Sequence, residues 1–374
     1  MNVWFSGGGT GGHLYPGLAI ARALVEERDD VRPVFIGAER GIERDVLPTT
    51  GFPHLLLDLH PLYRPQLWRN WRTLRGAWRG WSRLDALADE RAPALVVGTG
   101  GYAAGLALLW AWRNGVPAVQ HIGDAVPGIT ARWGARFTRE AYLGFPEAAA
   151  KLPRRGCVMR ETGNPIEPPP DIRPGPTEAR ARWGFPSHAK VLLVFGGSQG
   201  ARALNQAMAA WVEEGLPEGL CVLWATGRAH HDGLKHLDRA DVRVVPYLSP
   251  IAEAYAAADL ALVRGGMMGT SELAAWGVPM VIVPLPSAAN DHQAANATVL
   301  AAAGAAVHLP QSALSGERLA HEIGVLLDDS PRLQAMAAAA RTRGRPRAAA
   351  EIAAHIVALL PARIFPGDAT PRSH

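Results

Sequence analysis

Residues 2–6 form a short apolar run that leads into six consecutive positions rich in glycine, 7–12, and then into a stretch to about residue 27. Within that stretch Leu14, Leu18, Ala21 and Leu24 recur at the spacing of one helix face, so a strand, a glycine loop and a helix are predicted in that order. Further strands are expected at 32–37, 54–59, 94–97 and 118–120, with helical stretches between them, the pattern of alternating β and α units on a parallel sheet. The second half begins again with the same device. Residues 190–195 read as a strand, GGSQG (196–200) as a glycine loop and 201–212 as a helix. The predicted fold class is therefore α/β, with two doubly wound, Rossmann-like parallel-sheet domains. The proline-rich passage NPIEPPPDIRPGP (164–176) suits a connection between them, placing the first domain at 1–163 and the second at 164–344. A last helical run, 345–360, is expected to pack back on the first domain, and the tail 361–374 to be loose.

Composition narrows the classes. A chain of 374 residues, 48% hydrophobic and 19% charged, is globular and long enough for about two cores. Cys157 and Cys221 are too few for a disulfide framework and lack zinc-ligand spacing, so a reducing compartment is the expectation. The net charge of +4 arises in the first part, with 20 basic against 15 acidic residues up to Gly163, and is carried by arginine, since only Lys151, Lys190 and Lys235 are lysines. Neither a secretory signal nor an apolar stretch long enough for a spanning helix is evident.

A glycine loop between strand and helix lets backbone amides approach an anion closely, and the helix N-terminus adds partial positive charge. Each loop alone supports two readings, phosphate binding or simply a tight strand-to-helix corner, because neither has dinucleotide or P-loop spacing. A third glycine-rich stretch, RGGMMGTSE (264–272), follows the apolar run 260–263 and again offers amides at a helix start. There Glu272 reads either as a helix-capping carboxylate or as an acceptor for both ribose hydroxyls of a nucleotide. Asp291, His292, Gln293 and Asn296 gather in PLPSAANDHQAAN (284–296), suited to sugar hydroxyls and equally to a solvated loop.

Residues 62–84, LYRPQLWRNWRTLRGAWRGWSRL, place Leu67, Trp71, Leu74, Trp78 and Trp81 at helical spacing among six arginines, with no acidic residue. That composition fits an amphipathic helix lying on an anionic lipid surface. The competing reading packs the Trp/Leu stripe on the sheet and leaves the arginines in solvent. Nucleic-acid binding is the poorest of the three, since nothing else continues the basic track.

Taken together, GGGTGGHLYPGLAIARAL, GTGGYAAG (98–105), HIGDAVPGIT (121–130), GNPI (163–166), GGSQGARALNQ (196–206), TSELAAWGVPMVIVPLP and DHQAANA resemble the MurG family of bacterial transferases. They cover most of residues 3–310 in the family's order. The resemblance implies a GT-B architecture, two domains facing a cleft, and inverting transfer of N-acetylglucosamine from UDP-GlcNAc to lipid I, giving lipid II. It further implies a peripheral enzyme on the cytoplasmic face of the membrane, with no cofactor and no metal ligand set, because amides and helix dipoles can stabilise departing UDP. Position by position, the amides of Gly266, Met267, Met268, Gly269, Thr270 and Ser271 and the Ser198-Gln199 turn are implied to meet the diphosphate and uridine. Glu272 would hold the ribose, Gln293 the GlcNAc hydroxyls and the backbone at Leu248 the uracil edge. Thr10, Gly11, Gly12 and His13 would face the acceptor, with Tyr102 and Asp124 lining the same cleft. Three positions depart from the family pattern: HIGD stands where H-E-Q-N is usual, Glu167 where an arginine often follows the G-N-P turn, and Gly265 where a serine follows Arg264. HIGD suits the alternative of a UDP-sugar-dependent glycosyltransferase with a different lipid acceptor, and Glu167 that of a UDP-sugar-binding protein without transfer.

Attack of a sugar hydroxyl on an anomeric carbon needs a base. His13, at a helix N-terminus where the dipole disfavours imidazolium, is the first candidate, with phosphate or backbone hydrogen bonding as its alternative role. Asp124 is the second, and His121 a third that also suits an interior position.

Overall fold

A computed structural model describes residues 1–59, 70–153, 156–197 and 200–362, with the backbone alone for 70–74. Among them, seven parallel strands form one sheet: β1 (Asn2–Gly7), β2 (Arg32–Ala38), β3 (His54–Leu57), β4 (Pro93–Gly100), β5 (Ala118–Ile122), β6 (Glu140–Leu143) and β7 (Val158–Arg160). Their order is β3-β2-β1-β4-β5-β6-β7. Six more, β8 (Lys190–Phe195), β9 (Leu220–Ala225), β10 (Val242–Val245), β11 (Leu260–Val263), β12 (Met280–Ile282) and β13 (Ala306–His308), form a second parallel sheet in the order β10-β9-β8-β11-β12-β13. In each sheet the first strand lies centrally and the fourth pairs with its far side, the doubly wound arrangement.

The central strands carry apolar, buried residues on both faces, Val3 to Phe5 in β1 and Val191 to Val194 in β8, because helices cover both sides of a parallel sheet. In β1, Val3 and Phe5 pack with Leu14, Leu18 and Leu24 of the Gly11–Glu27 helix, while Trp4 points the opposite way toward Leu84 and Trp110. Trp4 is fully buried, its ring 4.8 Å from that of Trp110 and its Nε1 donating to the Arg91 carbonyl at 3.0 Å. The second domain repeats the plan: Leu192 and Val194 of β8 meet Leu204, Met208 and Trp211, and Val191 and Leu193 meet Leu273 and Leu300.

The chain returns to its starting domain at the end. Ile352, Ala353 and Ile356 of the Ala348–Leu359 helix are buried in the same core as Val3, Leu14 and Leu24. Of the tail, residues 363–374 lie outside the described residues.

The arginine- and tryptophan-rich stretch differs from its predicted single stripe. Its helix runs Asn70–Arg91, and residues 62–69 lie outside the described residues. Gly76, Gly80 and Leu84 form the buried row, close enough that a Cβ on Gly80 would meet Leu106 Cδ2 at 2.7 Å. Trp81 packs against that core, whereas Trp78 is 72% exposed on the outer side with Arg75 and Arg79. The small glycines let this helix approach its neighbour, and that choice of inner face turns Trp78 outward. No helix among the described residues is long and apolar enough to cross a membrane.

Candidate active site

Strand order reverses between β1 and β4 and again between β8 and β11. Open α/β sheets hold ligands beyond the carboxyl ends of the strands at such points. All three glycine loops named from the sequence leave strands beside these two positions.

At the first, β1 ends at Gly7 and β4 at Gly100, and the two loops are joined by Gly8 N–H donating to the Gly100 carbonyl at 3.2 Å. Gly101 has φ +78° and its Cβ would lie 2.1 Å from the Gly8 carbonyl oxygen, so only glycine allows the approach. Thr10 caps the Gly11–Glu27 helix through its extended backbone, leaving the first-turn amides of Gly11 and Gly12 without intrahelical partners. Tyr102, second residue of the Gly101–Arg113 helix, is half exposed beside them.

His13 sits in the first turn with Nδ1 3.1 Å from the Thr99 carbonyl. A carbonyl only accepts, so in the neutral ring Nδ1 carries the hydrogen and Nε2 keeps a lone pair. Burial holds its pKa below the usual 6.5, which keeps that lone pair available. His121 is different. Its Nε2 donates to Asn164 Oδ1 at 3.0 Å, its ring is buried, and desolvation pushes its pKa down to about 4. It is an interior histidine.

Beneath the loop lies a carboxyl that sequence reasoning missed. Glu43 is fully buried, its Oε1 accepts the Gly9 N–H at 2.9 Å and its Oε2 has no hydrogen-bond partner. Burial raises its pKa, favouring the neutral acid beside an anion-binding loop. No local signal marks it, since it reaches the loop from 34 positions along the chain.

At the second switch point, Ser198 and Gln199 lie outside the described residues. The helix after β11 begins at Met267, within the glycine-rich stretch itself, and runs to Trp276 with Gly266 as its N-cap. The free first-turn amides are therefore those of Met267, Met268 and Gly269. Thr270 N–H already donates to the Gly266 carbonyl at 3.2 Å, and Ser271 lies deeper in the helix, so these two amides are corrected out of the anion site. Glu272 is not a cap either. Standing in the second turn, it accepts a 2.5 Å hydrogen bond from the Tyr255 hydroxyl, and burial raises its pKa, with nearby Glu167 adding to the effect. Leu248 buries its side chain in the second core. Gln293 Oε1 accepts from the Leu285 amide at 3.0 Å, which holds the loop before the His292–Ala302 helix. Gly265 has a steric reason: a Cβ there would lie 2.4 Å from the Gln293 carbonyl oxygen.

Three contacts join the two switch points. Met267 reaches from the second domain against the first, where a Cβ on Gly123 would fall 1.9 Å from its Sδ and one on Gly12 would lie 3.2 Å from its Cε. Asn164, in the G-N-P turn, donates through Nδ2 to the Gly123 carbonyl at 3.1 Å and to Ser271 Oγ at 2.9 Å. Asp124 Oδ1 accepts from Asn296 Nδ2 at 2.8 Å and lies 3.0 Å from His292 Nδ1, while Asn296 Oδ1 accepts from the Ala125 amide at 2.9 Å. His13 lies near enough to Asp124 and His292 to feel both charges. The arrangement brings His13, two sets of free helix amides and the polar cluster of Asp124, His292 and Asn296 to facing edges of the two sheets.

Residues 3–143 match the glycosyltransferase family 28 N-terminal domain and residues 191–352 the glycosyltransferase family 28 C-terminal domain. A UDP-N-acetylglucosamine–N-acetylmuramyl-(pentapeptide) pyrophosphoryl-undecaprenol N-acetylglucosamine transferase from Moorella thermoacetica is 38% identical over 358 residues, covering 93% of this chain and 96% of its own. A transferase of the same description from Alkalilimnicola ehrlichii is 40% identical, covering 94% and 97%. Among solved structures, Acinetobacter baumannii MurG aligns with TM-score 0.76 and 27% identity over 96% of this chain and 99% of its own. The chain belongs to this family of N-acetylglucosamine transferases, and its two parallel-sheet domains have the GT-B architecture.

Proposed function

We propose that this chain transfers N-acetylglucosamine from UDP-GlcNAc to the C4 hydroxyl of the muramoyl sugar of lipid I, yielding lipid II for peptidoglycan, with inversion at the anomeric carbon. The observation that carries the reading is His13, whose Nδ1 is engaged by the Thr99 carbonyl so that Nε2 is free to accept a proton. In the step, the C4 oxygen bonds to the anomeric carbon opposite the departing diphosphate, its proton passes to His13 Nε2, and the carbon–oxygen electron pair leaves with UDP. The first-turn amides of Met267, Met268 and Gly269 stabilise that charge, together with Ser198 and Gln199, and those of Gly11 and Gly12 with Thr10 hold the acceptor pyrophosphate. Glu272 accepts from the ribose through the oxygen that Tyr255 leaves open, Gln293 meets the GlcNAc hydroxyls, the main chain at Leu248 meets the uracil and Tyr102 borders the acceptor sugar. Residues 1–163 with the returning last helix form the acceptor half, and 164–344 the donor half.

The acceptor is a membrane lipid, so the enzyme works as a peripheral protein at the cytoplasmic face. Exposed Trp78 flanked by Arg75 and Arg79 supports docking of the Asn70–Arg91 helix on anionic lipid. Loss of the activity would impair cell-wall synthesis, and with it cell shape and division. The test is release of UDP from UDP-GlcNAc with and without a short-chain lipid I analogue, with product analysis. Acceptor-dependent release matched by disaccharide formation is expected. Binding of UDP-GlcNAc without turnover on any acceptor sinks the proposal. A vesicle sedimentation arm tests docking: Trp78→Ser lowers binding to vesicles containing anionic lipid, and an unchanged bound fraction counts against it.

A further inference from the structure

Gly123 and Asp124 directly follow β5, and the structure places both against the opposite domain. Gly123 leaves the space that Met267 fills, and Asp124 meets His292 and Asn296. Asn296 is fully buried and uses its amide three ways, donating to Asp124 Oδ1 and to the Gly265 carbonyl at 3.0 Å and accepting from the Ala125 amide. His292 is brought there by two consecutive residues in the left-handed region, Asn290 at φ +53° and Asp291 at φ +55°. Asparagine and aspartate tolerate that conformation, and the turn aims the first residue of the next helix into the cleft.

We propose that Asp124, His292 and Asn296 form a cross-cleft clasp that positions the donor half of the molecule against the acceptor loop, with the Asp124–His292 charge pair setting how firmly the halves close. The inference rests on the transferase reading for its catalytic consequence, and on the contacts alone for the closure itself. A lone carboxylate close enough for His13 to feel its charge would repel an acceptor diphosphate held at the start of the first helix; paired with protonated His292 its charge is cancelled, so the pair reconciles an acidic side chain with an anionic substrate. Asp124 acts here as a positioning residue. Burial disfavours its charge, but His292 and Asn296 outweigh that and hold its pKa below the usual range, which makes it a poor proton acceptor and leaves the base to His13.

The sign of the pH dependence follows from the pair. The Asp124 carboxylate raises the pKa of His292 against the effect of burial, so the clasp is strong while His292 is protonated and weakens as pH rises through that raised pKa. It also weakens as pH falls through the lowered pKa of Asp124. The other titratable groups facing the pair are His13 from the first helix, His121 from β5 and Asp291 from the turn.

The experiment uses the full chain with one spin label in each domain, in wild type, Asp124→Asn, His292→Gln and the double variant, from about pH 6 to about pH 9. Interdomain distance is measured alongside kcat and KM for the lipid I analogue. We expect the closed fraction of wild type to fall as pH rises, each single variant to lose that dependence with kcat/KM about tenfold lower, and the double variant to match the worse single one. Multiplicative losses in the double variant, or a distance indifferent to pH and to both substitutions, overturn the clasp. A collapse of kcat in Asp124→Asn with unchanged distances also overturns it and returns the carboxylate as base. Because the distance needs no turnover, wild type that opens as pH rises but transfers nothing sinks the proposed function and leaves the clasp standing.

Discussion

At the first switch point the helix after the glycine loop runs 17 residues and presents His13 in its opening turn; at the second it runs 10 residues and presents Met267 and Met268. Each has a carboxyl nearby whose pKa desolvation raises, fully buried Glu43 in one case and partly buried Glu272 in the other. Glu43 is sealed beneath its loop and spends one oxygen on the Gly9 amide, whereas Glu272 is held by Tyr255 in the helix that follows β11. Duplicated strand order therefore fixes where an anion can be held, and the side chains carried on the first turn decide what can be done to it. The half with the histidine can move a proton. The half with amides and methionines can hold a leaving diphosphate and exclude water.

This division of labour can be broken from either side. The largest effect is expected for His13→Ala, a loss in kcat of about 10²–10⁴-fold with UDP-GlcNAc affinity by calorimetry unchanged; equal loss of both would mean the first half also binds donor. Next is Gly101→Ala, which forces a Cβ into the Gly8 carbonyl at φ +78° and should cost about 2–4 kcal/mol in denaturant unfolding, since strain and collision add. A wild-type midpoint would show that the loops after β1 and β4 do not pack in contact. Glu272→Gln should raise KM for UDP-GlcNAc about tenfold and spare kcat, because the amide keeps an acceptor for Tyr255 while weakening a charge-assisted bond to ribose. A kcat defect with normal KM would move Glu272 into the chemistry. The smallest effect is a displacement of the acid limb of kcat/KM. His13 has its pKa lowered by burial, so activity should persist below pH 6.5 and fall only as pH drops through that depressed value. An acid limb at or above 6.5 would point to another base.

Much of this was legible in the sequence because its signals are local. A strand, a glycine run and a helix fall within some 25 neighbouring residues, and their repetition after residue 190 announces a second domain of the same kind. The family motifs likewise marked both loops, His13 and the segment 264–272. Other features were not legible. The helix at the donor loop starts at Met267, through glycine-rich sequence that propensity alone assigns to a loop, because packing of Met267, Thr270 and Leu273 into the interior stabilises it. The tryptophan stripe divided, since spacing cannot tell which side of a helix a neighbour will cover.

By itself, the sequence determined the alternation of elements, the parallel class of both sheets and the position of each glycine loop, all set by near-neighbour sterics and periodicity. Only the tertiary structure decided that Glu43 supports the loop at Gly9, that Asn164 bridges to Ser271, and that Asp124 meets His292 and Asn296 from the opposite domain. These partners are separated by between 34 and 172 positions. Their meeting depends on how two finished sheets pack across a cleft, a property of the assembled core that no short stretch of chain carries.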